Sequence, residues 1–431
     1  MNPKVSVIMP SLNVASYIHE CVESVINQTL KELEILCVDA GSTDGTLEVL
    51  EEYAAKDGRI RIIHSDKKSY GYQVNLGIDA AEGEYIGIVE TDDYILPDMY
   101  KDLYEIAHRE SADICKGDFQ RFWGEGDNRV SRYASCAREN LYNKVLNARD
   151  NPTILRCSGF NQIGIYSLPF LREKNVRLNE SPGASYQDNG FWFQVTIQAD
   201  RVYYINKAYY MLRRDNPNSS VKSTGKVYCL CEEYDFIRAF LRKHTELETR
   251  FTPYLAYFRM GNYFFNLDRI APEYKLEFLQ RFAEDFRRIE AAGELDETLY
   301  TNQQWEKLQD IMECPEYVYY RDYYQDGRLL AEIDQQKKRA DGLEAEIGQQ
   351  KKRADGLQAE INQQKVRADG LQHDLDCVHN SVSFRAGRAI TWLPRKVRGG
   401  VRCYKEHGFR YTVDRGMIHM RLLFSSSQKR L

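Results

Sequence analysis

The chain has 431 residues, 43% of them hydrophobic and 29% charged, with a formal net charge of −5. That balance fits two or three globular units and excludes a wholly disordered chain. No run approaches the roughly 18 apolar residues of a membrane-spanning helix, and Met1-Asn2-Pro3-Lys4 runs into a strand pattern with no signal-peptide core before it.

Residues 4–9 are a β-rich apolar run, and 14–28 carry Ile18, Val22, Val25 and Ile26 on one helical face. A second strand is predicted over 33–38. The helix that follows is stopped by Asp57-Gly58. Strands over 59–64, 84–89 and 112–119 alternate with helices over 72–81 and 96–109. This alternation predicts an α/β fold: a Rossmann-like, mostly parallel sheet with helices on both faces. Ligands of such sheets bind beyond the carboxyl ends of the strands. Three polar clusters fall there: Pro10-Ser11-Leu12-Asn13, residues 39–44 and Glu90-Thr91-Asp92-Asp93.

Further on, a helix over 191–199 and a strand over 202–212 are followed by a helical region rich in Tyr and Phe to about residue 320, read as core packing. Residues 332–373 hold three near-identical 14-residue units, EIDQQKKRADGLEA, EIGQQKKRADGLQA and EINQQKVRADGLQH. Each spans two heptads, with Ile333, Ala340 and Ile347 among the a positions and Leu329, Gln336 and Leu343 among the d positions. That is a coiled-coil seam suited to a homo-oligomer; a single solvated helical spacer is the alternative. Residues 380–431 carry twelve Lys/Arg against two Asp/Glu, so the preceding residues sum to −15. The tail interleaves these charges with Phe384, Trp392, Tyr404 and Phe409, a pattern suited to lying on anionic lipid; a small basic subdomain with no ligand fits equally. The expected organisation is a catalytic domain over 1–225, a helical subdomain over 226–326, coiled-coil repeats over 327–377 and a basic aromatic tail over 378–431. Ten Cys without a CxxC, several inside apolar strands (Cys37, Cys115), read as buried reduced thiols of a cytoplasmic protein. Eight His without HExxH give no zinc site.

The cluster at 90–93 carries the most chemistry. Three carboxylates at the mouth of a buried strand repel one another and need a counter-charge. A hard divalent cation, Mg²⁺ or Mn²⁺, takes oxygen ligands and usually holds substrate phosphates as well. A solvated acidic turn is the alternative reading of the triplet alone. In Asp39-Ala40-Gly41-Ser42-Thr43-Asp44-Gly45-Thr46, the glycines permit a tight turn and Ser42 or Asp44 suits a helix cap; an ordinary capped turn has the same features.

Taken in order, these segments resemble family 2 glycosyltransferases, which have the GT-A fold. Val5-Ser6-Val7-Ile8-Met9-Pro10-Ser11-Leu12-Asn13 is similar to the family's opening strand and Pro-x-x-Asn turn. Residues 39–46 are similar to its Asp-x-Gly-Ser-x-Asp-Gly-Thr segment. Asn75-Leu76-Gly77-Ile78 with Gly83-Glu84-Tyr85-Ile86 is similar to its Asn-Leu-Gly…Gly-Glu-Tyr-Ile stretch, and 90–93 sits at its Asp-x-Asp metal motif. Ser185-Tyr186-Gln187-Asp188 resembles the segment holding the catalytic base, and 213–221 a stretch common in relatives.

The resemblance implies a metal-dependent, inverting, non-processive transfer from a nucleotide-diphospho-sugar, a UDP-sugar favoured. The acceptor would be a glycan or a lipid-linked sugar at the inner membrane surface, as in assembly of a bacterial surface polysaccharide; no nucleic-acid partner is expected. It implies that Asp188 is the base and that Asp92, with Asp93, holds the metal. Pro10, Ser11, Asn13, Asp39, Gly41, Ser42, Asn75, Glu90, Asp92 and Arg213 would bind the nucleotide-sugar. Three positions depart from the pattern: Glu90 replaces an Asp, Gln187 replaces a Glu, and Leu12 stands at a position usually aromatic. Asp188 also suits the N-cap of the 191–199 helix, and Arg213 also suits a structural pair with an acid. A catalytically inactive scaffold is the competing function. A nucleotidyltransferase is disfavoured because residues 9–20 contain no Lys, Arg or Gly.

Overall fold

The computed structural model describes residues 2–218, residues 226–324 and a set of helical positions between 339 and 356. The coiled-coil seam lies mostly, and the basic aromatic tail wholly, outside the described residues.

The chain opens with β1 (Val5–Ser11), α1 (Ile18–Ile26), β2 (Leu33–Asp39), α2 (Thr46–Ala54), β3 (Ile60–His64), α3 (Tyr70–Ala80) and β4 (Tyr85–Ile88). Then come β5 (Tyr94–Ile95), α4 (Met99–Glu110), β6 (Ile114–Trp123), β7 (Val130–Ala134), β8 (Val145–Leu146), β9 (Gly164–Ser167) and α5 (Leu168–Glu173). The unit closes with α6 (Gln187–Gln198), β10 (Val202–Arg213), α7 (Cys229–Lys243) and α8 (Thr245–Arg269). It spans Met1–Arg269, with α7 packed on α6 and α8 on α7, and the boundary expected near 225 lies inside it.

The main sheet runs β3-β2-β1-β4-β9-β6-β10-β5, with β7 beside β6 and β8 beside β10. β1 pairs in parallel with β2 and β4, β2 with β3, and β6 with β10. β9 lies antiparallel between β4 and β6, which keeps those two strands pointing the same way. The mostly parallel sheet is as the alternation implies. Every residue of β1 is buried, and a fully buried Val or Ile there contributes about 1.5–3 kcal/mol. Ile18, Cys21, Val22 and Val25 turn one face of α1 onto the core, which is the helical spacing at work. β9 lies against β6 because Gly164 has no side chain: a Cβ there would sit 2.5 Å from the Cys115 carbonyl oxygen.

The second unit, described over residues 270–324, packs α9 (Lys275–Ala291), α10 (Asn302–Glu313) and α11 (Pro315–Asp322) against one another. Phe278, Phe282 and Phe286 form the buried stripe of α9, so its aromatics are core. Among the described residues no helix is long and apolar enough to cross a membrane. Cys21, Cys37, Cys115, Cys136 and Cys157 are free and buried.

Candidate active site

The six parallel strands end on one edge, and the polar clusters sit there. Beyond β4, Val89 N–H still donates to the Ile8 carbonyl (2.9 Å). Thr91 Oγ1 donates to the Pro10 carbonyl (3.0 Å), tying this turn to the end of β1. The carboxylates of Glu90, Asp92 and Asp93 each offer an oxygen within 4.8 Å of the others.

Their partners differ. Asp93 is buried, and both oxygens are engaged: Tyr210 Oη donates to Oδ2 (2.7 Å) and Arg213 N–H to Oδ1 (2.7 Å). Asp92 accepts one bond, from Asn216 Nδ2 to Oδ2 (2.8 Å). Burial and the neighbouring Asp92 and Asp188 charges push the Glu90 carboxyl well above the usual range; burial, Asp92 and Glu90 do the same for Asp93. A cluster of hard oxygens that resists ionising together suits a divalent cation, which removes the mutual repulsion.

Arg213 fills the space behind the cluster. Its Nε donates to the Asp92 carbonyl (2.9 Å), and its Nη2 donates to Glu20 on α1 (2.7 Å). Its guanidinium lies 4.6 Å from the Tyr17 and Phe122 rings. It lines the cleft but is held by acids and backbone, the structural pairing that the sequence left open.

Asp188 reaches the same cleft from α6. The turn before it is anchored on the start of α3, where Tyr70 N–H donates to the Gly183 carbonyl (3.0 Å) and Gly183 N–H to that of Lys68 (2.7 Å). The helix begins at Gln187 behind Tyr186, which has φ 68 and provides no side-chain cap. Asp188 is therefore in the first turn and is not the N-cap. Gln187 replaces an acid for a visible reason: its Nε2 donates to the carbonyls of Ser181 (3.1 Å) and Gly183 (2.9 Å). A carboxylate has no proton for them. Burial raises the Asp188 carboxyl, and the buried Lys116 opposes that. Lys116 in turn donates to the carbonyls of Ser158 (3.3 Å) and Phe160 (2.9 Å), on a loop lining the cleft.

The cleft encloses about 700 Å³ and takes in Glu90, Asp92, Asp93, Asp188 and Arg213 together. Tyr70 and Ser185 also line it. Their hydroxyl oxygens are enclosed and have no hydrogen-bond partner among the described residues. Buried hydroxyls are normally satisfied, so this pair suits a polar ligand. No local sequence signal marks Tyr70, and Ser185 is marked only as the first residue of the segment that resembles the family's catalytic-base stretch.

Of the residues expected to bind the nucleotide-sugar, Glu90, Asp92 and Arg213 line this cleft; Pro10, Ser11, Asn13, Asp39, Gly41 and Ser42, at the ends of β1 and β2, and Asn75, in α3, do not. Asp39 is buried, with both oxygens facing the Ser42 N–H (3.2 and 2.9 Å). Asn13, at φ 54, accepts from Thr43 N–H (2.8 Å), and its own N–H donates to Ser42 Oγ (3.0 Å). Gly41 adopts φ 77, closing that turn. Pro10 and Ser11 end β1. Asn75 is buried in α3 and spends its amide on the backbone of Leu178 (3.0 Å each way), so here it holds the 178–180 segment.

A doubly wound sheet with a carboxylate cluster at the end of β4, and a further carboxylate brought to the same cleft from a helix, defines an α/β enzyme whose site suits a divalent cation and a polar ligand. Residues 6–168 match the family described as Glycosyl transferase family 2. Glycosyltransferase GlyG of Streptococcus pneumoniae is 30% identical over 223 residues, 50% of this chain and 72% of that protein. A chondroitin synthase of Escherichia coli is 42% identical over 119 residues, 28% of this chain and 16% of that protein. The crystal structure of S. aureus TarS 1-349 in complex with UDP-GlcNAc superposes with a TM-score of 0.57 at 20% identity, covering 75% of this chain and 93% of that one. The chain belongs to glycosyltransferase family 2 and is a glycosyltransferase of the GT-A fold.

Proposed function

We propose that this enzyme moves one sugar from a nucleotide-diphospho-sugar to an acceptor hydroxyl, with inversion and with a divalent cation, in the synthesis of a bacterial surface polysaccharide. The observation that carries the reading is the shared cleft: the acidic cluster and Asp188 line one cavity together with two unpartnered hydroxyls. The TarS likeness supports the fold, and the UDP-GlcNAc in complex with that protein favours a UDP-sugar. The likeness to a chondroitin synthase favours a glycan product.

Asp92, with its second oxygen uncommitted, and Glu90 and Asp93 beside it are the residues that would hold Mn²⁺ or Mg²⁺. The cation would neutralise the charge developing on the diphosphate as it leaves. Asp188 accepts the proton of the acceptor hydroxyl as that oxygen bonds to the anomeric carbon and the bond to the diphosphate oxygen breaks. Its raised affinity for protons suits a general base. Displacement in one step from the face opposite the leaving group inverts the anomeric centre. Tyr70 and Ser185 donate to sugar hydroxyls or diphosphate oxygens. Asp39, with Pro10, Ser11, Asn13, Gly41 and Ser42, frames the nucleobase and ribose.

The test is nucleoside diphosphate release from a panel of nucleotide-sugars with Mn²⁺, Mg²⁺ or EDTA. Wild type is expected to turn over one donor only with metal, and Asp188→Asn to lose at least about 100-fold. Equal rates for the two proteins would remove Asp188 from the mechanism, and equal rates in EDTA would remove the metal.

A further inference from the structure

β6 and β7 form an antiparallel hairpin at the cleft, and in its register Arg121 lies directly opposite Arg132. Directly opposed residues project from the same face, and like charges so placed are destabilising. The parallel register with β10 puts Leu212 beside Arg121, and Arg214 follows two residues later on that side. Trp123, two residues along β6 from Arg121, shares the face and is 40% exposed. Arg121, Trp123, Arg132 and Arg214 all line the cleft.

None of these three arginines forms an ion pair among the described residues. Others in the unit do, as in Arg59–Asp57, Arg129–Glu20, Arg177–Asp79 and Arg213–Glu20. Arg121 is steadied instead by the Phe119 ring, 5.6 Å from its guanidinium. Three unpaired guanidiniums around an exposed indole are a poor arrangement for the empty protein and a good one for an anionic ligand with a flat apolar face. Guanidinium forks pair with carboxylates and phosphates, and an indole stacks on the C–H face of a sugar.

The position says which ligand. The turns at the ends of β1 and β2 lie to one side of β4. The β6–β7–β10 wall lies to the other side, past β9. On the donor reading above, the diphosphate sits at the end of β4 and the nucleobase toward β2, so this wall faces the acceptor. We propose that Arg121, Arg132, Arg214 and Trp123 form a subsite for an acidic saccharide acceptor, one that carries a carboxylate or phosphate near the hydroxyl being glycosylated. This inference rests on the proposed donor chemistry and adds the charge of the acceptor to it.

The test is calorimetric titration of the full chain loaded with UDP and Mn²⁺. The probes are an oligosaccharide of alternating uronic acid and N-acetylhexosamine, the same oligosaccharide with its carboxyls reduced to alcohols, and a glycerol-phosphate oligomer. One acidic probe is expected to bind at least about tenfold tighter than the reduced one, and which of the two it is separates carboxylate from phosphate. That affinity should fall about tenfold in Arg121→Gln/Arg132→Gln, survive largely in Arg121→Lys/Arg132→Lys, and weaken as NaCl rises from about 50 to about 300 mM. Absence of UDP binding by wild type would overturn the donor reading itself. With UDP binding intact, failure of both acidic probes, or equal affinity for acidic and reduced sugar, would overturn the acceptor subsite. A loss of UDP affinity in the Gln variant would move the arginines to the diphosphate and overturn it as well.

Discussion

Glu233 on α7 offers a sharp test of how α6, the helix that carries Asp188, is held. The side chain has 0% exposure. Its Oε1 accepts the Gly190 N–H (2.8 Å), its Oε2 accepts Asn179 Nδ2 (3.0 Å), and Gly190 is two residues from Asp188. Burial, followed by the nearby Asp188 charge, pushes this carboxyl from an ordinary 4.5 to about 8. In the unfolded chain the proton leaves near 4.5, while the folded protein keeps it to about 8. Between these values the folded state binds more protons, so stability falls as pH rises, by about 1.4 kcal/mol per pH unit. The full loss above pH 8 is about 5 kcal/mol at most. Glu233→Gln mimics the protonated acid and cannot ionise. Urea unfolding of both proteins from pH 4 to pH 9 isolates this group and its coupling to Asp188, because titrating groups that do not interact with it cancel in the difference. The variant is expected to gain steadily on wild type from pH 4.5 to pH 8 and to hold a constant lead beyond. Parallel curves would show that Glu233 ionises normally and that the buried acid does not support α6.

Gly71→Ala drives a Cβ into the Asn179 carbonyl oxygen; backbone has to move, and thermal unfolding should show a loss of about 1–3 kcal/mol. Asn75→Ala strips the Leu178 N–H and carbonyl of their partner. A loss of about 2 kcal/mol or more is expected, with faster amide exchange at Leu178; unchanged exchange would mean another group takes over. Gln187→Glu sets a carboxylate against the Ser181 and Gly183 carbonyls. Its melting temperature should drop below wild type increasingly as pH rises through the carboxylate range, whereas a pH-independent difference would contradict the donor role of the amide.

The sequence displays those parts of the site that are local. Residues 39–46 and 90–93 each end an apolar run, and the hydrophobic period places both on the strand edge before any contact is known. The helix carrying Asp188 is less legible: apolar spacing begins at Phe191, while the helix starts at Gln187, whose amide caps nothing but locks the preceding turn. Asn75 shows the converse, since its motif is visible but its amide is spent on Leu178, 103 residues away. β9 has only four residues and depends on Gly164 fitting against Cys115, a contact between segments far apart in the chain. Glu233 reads as one acid among many on a charged helix, because its burial comes from packing on α6. The Arg121–Arg132 pair requires the hairpin register, which the sequence of β7 alone does not fix.

Asp93 draws both its hydrogen bonds from β10, 117 and 120 residues downstream, and Arg213 bridges back to Glu20 across 193 residues. Such distant pairings form late, since closing so long a loop precedes any reward from the contact. During synthesis the first four strands of the sheet emerge well before the strand that satisfies their acidic rim. The cluster therefore completes only after residue 216 has left the ribosome, and the order of assembly, as much as the finished geometry, delays a working cleft until the domain is whole.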